Sequence, residues 1–254
     1  MAKPKVAFFD FACCEGCQLQ VANMGEKLLD VLEKVDVVEF REVMSEKWDD
    51  EYDVAVIEGS ITTPHAVERV KKIRDRSKAV IAYGSCATIG GVNGMKNNFK
   101  LDDIRNYVYG KSAQYFPTIP TRAVHQVVPV DYFVHGCPVY PPEFLKVLKS
   151  ALQGIPYHVP DTSVCTECKL NENVCMFERG VTCLGPITRA GCNSWCINNG
   201  NICYGCRGMV SNPNKNGAMD VLKKYDIDIE LIKNKMNMYN KCREFDENDN
   251  EEKR

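Results

Sequence analysis

Apolar positions along the chain fall into two kinds of segment. Short apolar-rich runs at residues 6–9, 35–40, 54–57, 79–83 and 130–134 have the length of strands. The run at 54–57 is continuous, as a strand buried on both faces requires. Between these runs, apolar residues recur at helical spacing. Leu19, Ala22, Leu28, Leu29 and Leu32 predict a helix over 18–33. Thr63 and Pro64 read as a helix cap and first turn, followed by Val67, Val70 and Ile73. Phe144, Leu145, Leu148 and Leu152 predict a helix over 141–152. Strands alternating with helices imply parallel pairing, so residues 1–160 are expected to form a doubly wound α/β sheet. The stretch between 84 and 130 carries no clear period.

The pattern changes near residue 160, beside Pro156 and Pro160. Residues 161–211 lack long periodic segments and are rich in Cys, Gly and Asn, so metal ligation is the expected source of their stability. Residues 215–245 read as one or two helices carrying Met219, Val221, Leu222, Leu231, Ile232 and Met236, and residues 245–254, mostly charged or polar, are expected to fray. The predicted organisation is thus 1–160, 161–211 and a helical tail over 212–254. The 254 residues carry 32 basic and 34 acidic side chains, a net charge of −2, which does not support nucleic-acid binding. The 44% hydrophobic content is enough for a buried core. No run approaches the 18 or so apolar residues of a membrane span, and no signal peptide is evident, so a cytoplasmic protein is expected.

The 14 cysteines change the picture. In a reducing compartment they point to metal or redox chemistry rather than disulfides. Open parallel sheets bind ligands outside the carboxyl ends of their strands. Cys14 and Cys17 follow the first strand, Cys86 the fourth and Cys137 the fifth, with Glu58 at the end of the third. Four thiols on one sheet edge, with Gly16, Gly84 and Gly136 beside them, suit one metal centre: a [4Fe–4S] cluster, or a Cys₄ zinc.

Eight further cysteines lie between 165 and 206, with Cys165-Thr166-Glu167-Cys168 and Cys203-Tyr204-Gly205-Cys206 at the outer ends. The simplest division is Cys165, Cys168, Cys175 and Cys183 for one site and Cys192, Cys196, Cys203 and Cys206 for another. Spacing alone leaves iron–sulfur clusters and structural zincs both open. Three sites in one chain suggest an electron path, with Cys13 and Cys242 left over. No nucleophile–base pair, phosphate loop or dinucleotide fingerprint competes for the role. His135 reads as an ordinary surface or core histidine.

At this point the chain resembles the electron-transferring small subunits of [NiFe] hydrogenases. Cys14-Glu15-Gly16-Cys17, Val56-Ile57-Glu58-Gly59-Ser60-Ile61, Gly84-Ser85-Cys86-Ala87-Thr88 with Gly90-Gly91, and Gly136-Cys137-Pro138 appear in that family's order. The resemblance extends to about Gly208. Within 165–210, Cys165 stands where many periplasmic members have a histidine and Cys196 where many have a proline. The run from Cys183 to Cys192 looks most like the cytosolic group: NAD(P)-linked enzymes, sulfhydrogenases and viologen-reducing relatives.

The resemblance implies a flavodoxin-like sheet domain, an irregular iron–sulfur domain and three [4Fe–4S] clusters held by the twelve cysteines above. It implies a nickel–iron site in a separate large subunit, and a further acceptor subunit carrying flavin or iron–sulfur clusters. Glu58 is left with two roles of equal weight, proton movement or loop support. A cluster-bearing small subunit of a quinone- or ferredoxin-linked complex is the alternative function, and a zinc-stabilised adaptor the redox-inactive one.

Overall fold

The computed structural model describes residues 2–45, 51–213, 215–226 and 229–242. Five strands, β1 (Lys5–Asp10), β2 (Asp36–Phe40), β3 (Tyr52–Glu58), β4 (Ser77–Tyr83) and β5 (Tyr132–Val134), form one sheet in the order β2-β1-β3-β4-β5. Every pairing is parallel. This is the flavodoxin-like order of doubly wound folds. β3 lies at the centre and is buried along almost its whole length, as its continuous apolar run predicts.

Alternate residues of the strands feed two cores. On one face Val6, Phe8, Val54, Val56, Ile81 and Tyr83 meet helices α1 (Gly16–Ala22), α2 (Glu26–Leu32) and α6 (Pro141–Gln153). On the other, Ala7, Phe9, Ala55, Ile57, Val80 and Ala82 meet α3 (Pro64–Asp75) and α4 (Gly84–Ile89). Phe144 of α6 anchors the first core, with its ring 6.1 Å from Phe8 and 4.8 Å from Tyr83. The predicted cap of α3 is formed: Thr63 Oγ1 accepts the Ala66 N–H at 3.1 Å, and Pro64 opens the helix.

One expectation changes. The single helix over 18–33 is two helices, because the chain leaves helical geometry after Ala22 and Gly25 takes φ +60. The stretch between 84 and 130, which carries no clear period, holds short elements. After α4 it contains 3-10 turns at Gly91–Asn98, Gly110–Tyr115 and Val124–Gln126, with α5 (Leu101–Tyr109) between the first two. Segments of this length are too short to show a hydrophobic period.

Beyond α6 come α7 (Val164–Leu170) and α8 (Trp195–Asn198), then α9 (Lys215–Lys224) and α10 (Ile229–Asn240). A third small core holds Val164, Met176, Phe177, Ile197 and Ile202 together with Cys168, Cys183 and Cys203. Val221, Tyr225 and Ile232 from the last two helices cover it, with Tyr225 stacked on Phe177 at 5.8 Å. α10 also packs on the 3-10 turn of Gly91–Asn98. Cys242 ends fully buried, its thiol donating to the Thr121 carbonyl at 3.1 Å, so this spare cysteine anchors the tail. The expected fraying over 245–254 lies outside the described residues. Among the described residues no helix is long and apolar enough to cross a membrane.

Phe144→Ala removes the side chain that joins α6 to the sheet. It is expected to cost about 3–5 kcal/mol of stability, measured as a fall in the denaturant midpoint. Unchanged stability would show that the α6 contact is not structural.

Candidate metal centres

Asp10, Glu58, Tyr83 and Val134 pair in sequence across the sheet, so four strands end at one level. The segments that leave this edge carry Cys14, Cys17, Cys86 and Cys137. They are bound to one another above the sheet. Ser85 N donates to the Gly136 carbonyl at 2.7 Å, and the Tyr83 hydroxyl donates to the Cys17 carbonyl at 2.9 Å. Gly84, at φ +85, lets the backbone pass Cys17: a Cβ there would lie 2.5 Å from Cys17 Sγ.

Electrostatics maps which thiols face one another. Burial is the main reason that the Cys17 thiol rises well above its ordinary pKa. The Glu58 carboxylate adds to the rise, followed by Cys137 and Cys86. Burial takes Cys86 to about 12, with Cys137, Cys13 and Cys14 facing it. Cys137 is raised by burial and then by Cys14 and Glu58, while a hydrogen bond with Tyr239 opposes the rise. The four sheet-edge cysteines are thus brought together, and Cys13 stands beside them.

The later cysteines lie near one another in the C-terminal region. Burial takes Cys165 to about 11, with Cys183, Cys168 and Cys175 contributing. Burial takes Cys206 to about 12, with Cys192 and Cys196 contributing, and Cys203 is raised by burial and by Cys206. The sets also influence one another electrostatically. Cys137 faces Cys206 and Cys196, and Cys183 faces Cys203 and Cys196. The Cys203 N–H points at Cys183 Sγ at 3.3 Å.

Among the described residues no group of three or more His, Cys, Asp or Glu side chains is arranged around a single ion. A four-iron cluster takes one thiolate at each iron of a cube, a wider arrangement than the shell of one ion. The donor sets suit such clusters in two respects. Each is all-cysteine, and backbone groups of Val139, Gly185, Gly205 and Trp195 hydrogen-bond the sulfurs of Cys17, Cys183, Cys203 and Cys192.

Three carboxylates hold the cysteine loops. Glu58 is 2% exposed and accepts the N–H groups of Cys17 at 3.1 Å and Gln18 at 2.9 Å. These are the first-turn amides of α1, whose own N-cap, Glu15, gives no side-chain bond. Glu58 thus holds the first turn of α1 in place. Glu167, between Cys165 and Cys168, accepts from Gly191 N at 2.8 Å and Ser194 N at 3.1 Å, the amides flanking Cys192. Glu143 of α6 pairs with the buried Arg207, next to Cys206, at 2.6 and 2.8 Å. Sequence reading misses Glu143, Glu167 and Arg207, because charged residues in a cysteine-rich or amphipathic segment read as solvent-facing. His135 is buried, and its Nδ1 has no hydrogen-bond partner among the described residues.

The sheet portion places the chain in a class of oxidoreductase subunits: residues 14–151 match the family model of the NADH ubiquinone oxidoreductase 20 Kd subunit. The remainder narrows the class. The sulfhydrogenase 2 subunit delta of Pyrococcus furiosus is 36% identical over 230 residues, covering 90% of this chain and 96% of the relative. A subunit of the F420-non-reducing hydrogenase vhu of Methanocaldococcus jannaschii is 33% identical over 234 residues, covering 80% of this chain and 81% of the relative. A solved NAD+-reducing [NiFe]-hydrogenase in the H2-reduced state contains a chain that superposes with TM-score 0.56 at 25% identity, covering 62% of this chain and 96% of that one. The chain belongs to the small-subunit family of [NiFe] hydrogenases and serves as a subunit of an oxidoreductase.

Glu58→Ala frees two buried amides, each at a cost of about 1–3 kcal/mol. Hydrogen exchange at Cys17 and Gln18 is expected to accelerate selectively, and Glu58→Gln is expected to restore part of the protection. Equal exchange in all three proteins would remove the support role.

Proposed function

We propose that this chain holds three [4Fe–4S] clusters and conducts electrons between the nickel–iron site of a large subunit and an acceptor subunit, in hydrogen oxidation or proton reduction. Cys14, Cys17, Cys86 and Cys137 hold the first cluster. Cys192, Cys196, Cys203 and Cys206 hold the middle one, and Cys165, Cys168, Cys175 and Cys183 the outer one. When bound, each cluster accepts and releases one electron at a potential set by burial and by hydrogen bonds to sulfur. The observation that carries this reading is the order in which the quartets neighbour one another electrostatically. The first meets the middle through Cys137 with Cys206 and Cys196, and the middle meets the outer through Cys196 and Cys203 with Cys183.

Cys14 and Cys137 are exposed at the sheet edge, which suits the approach of the large subunit. The acceptor subunit, with flavin or iron–sulfur clusters, approaches the outer quartet. The working division of the chain is 1–160 for the first cluster, 161–211 for the other two and 212–254 as a covering tail. The place of work is the cytoplasm. The quinone-linked alternative draws on the 14–151 match alone. It leaves eight cysteines without a role, whereas the sulfhydrogenase relative spans them.

Iron and acid-labile sulfide analysis of the purified complex is expected to find about twelve irons per small subunit, four for each cluster. Stable zinc loading with no iron-dependent redox activity would overturn the reading. Cys137→Ser is expected to abolish hydrogen-dependent reduction of the acceptor, while Cys13→Ser leaves both the iron content and the reduction near those of the parent. Loss of the first cluster in Cys13→Ser would show that Cys13, not its neighbour, is the ligand.

A further inference from the structure

Arg207 follows Cys206 and is 1% exposed, an unusual environment for a charged side chain. All its nitrogens are committed. Nη1 donates to Glu143 Oε2 and to the His135 carbonyl, each at 2.6 Å. Nη2 donates to Glu143 Oε1 at 2.8 Å, and Nε to the Ala190 carbonyl at 2.9 Å and the Arg189 carbonyl at 3.2 Å. These partners come from either side of the boundary between the first two quartets. His135 lies two residues before Cys137, and Glu143 opens the helix after it. Ala190 lies two residues before Cys192. One guanidinium thus ties together the backbone around a cysteine of the first quartet and two of the middle one. The space is filled to the limit: a Cβ on Gly191, at φ +119, would collide with the guanidinium and the Glu143 carboxylate.

Removing one partner of such a buried pair is costly, yet an apolar pair of similar volume is often as stable. Stability alone therefore does not account for the charges. Their placement does. The guanidinium, one residue from Cys206, acts electrostatically on Cys192 and Cys206, and the carboxylate that pairs with it stands on α6. A positive charge in a poorly solvated site favours the more negative, reduced state of a neighbouring redox group, and a negative charge behind it weakens that preference.

We infer that Arg207 is a positioning residue that raises the reduction potential of the centre held by Cys192, Cys196, Cys203 and Cys206, and that Glu143 limits that rise. The inference rests on the three-cluster reading. It assigns opposite electrostatic effects to two residues in one ion pair, which a merely structural bridge does not do.

The test is a redox titration of the assembled hydrogenase followed by EPR, with iron analysis of every sample. Glu143→Gln keeps the shape of the carboxylate and removes its charge. It is expected to raise one midpoint, that of the centre spin-coupled to both others, by about 59 mV, a tenfold change in the ratio of reduced to oxidised form. The double substitution Glu143→Gln with Arg207→Gln is expected to bring that midpoint back down, below that of Glu143→Gln alone. The other two midpoints stay near their parental values. If the double variant does not assemble, the sign of the Glu143→Gln shift decides the matter. An unchanged or lowered middle midpoint in Glu143→Gln, or an equal shift of all three centres, overturns the inference. Absence of iron clusters in the parent protein would instead overturn the three-cluster reading.

Discussion

A thiolate loses its hydration when it is buried, and the sulfurs of this chain are mostly buried or half-buried. Left alone, they are driven toward the neutral thiol, and the raised values at Cys17, Cys86, Cys165 and Cys206 all have burial as their first cause. Buried thiols gathered in such numbers are a poor way to build an ordinary core. Metal coordination reverses the balance, because a coordinated thiol is deprotonated outright. The surrounding structure follows from that demand: strand ends at one level, backbone donors aimed at sulfur, and small cores that include cysteine.

The loops that carry the cysteines are irregular, so something other than secondary structure must hold them. Carboxylates do this three times. Glu58 reaches from the end of β3 to the first turn of α1. Glu167 reaches from the outer quartet to the amides around Cys192. Glu143 reaches through Arg207 to the segment ending at Cys206. Glu167 and Glu143 each link one cysteine-bearing segment to another, and Glu58 holds the first turn of α1 from a strand that carries no cysteine. Spacing between the quartets is therefore maintained by directional charge-assisted bonds. Spacing of this kind matters to a chain whose work is electron transfer and matters much less to a zinc-stabilised adaptor.

Much of this was legible in the sequence. The apolar runs at 6–9, 54–57 and 79–83 marked strands because a doubly buried strand leaves no polar period to confuse the pattern. The close pairs Cys14/Cys17, Cys165/Cys168 and Cys203/Cys206 were legible because their members stand three residues apart. The break at Gly25 was not, since the apolar spacing continues through it and only a positive φ reveals the turn. The 84–130 stretch was opaque because its turns are shorter than a readable period. Arg207 and Glu143 were invisible for a different reason: a buried ion pair has two charged members distant in sequence, and neither carries a local sign of burial. Cys242, counted as spare, proved to be a core residue holding the tail, which is the ordinary fate of a cysteine without metal.

The most direct measurement is anomalous diffraction at the iron absorption edge from crystals of the assembled complex. The account predicts three compact iron densities within this chain: one above the sheet edge among Cys14, Cys17, Cys86 and Cys137, the next among Cys192, Cys196, Cys203 and Cys206, and the last among Cys165, Cys168, Cys175 and Cys183. Single-atom peaks at the zinc edge in those positions, or iron bound elsewhere with the sulfurs turned apart, would contradict it.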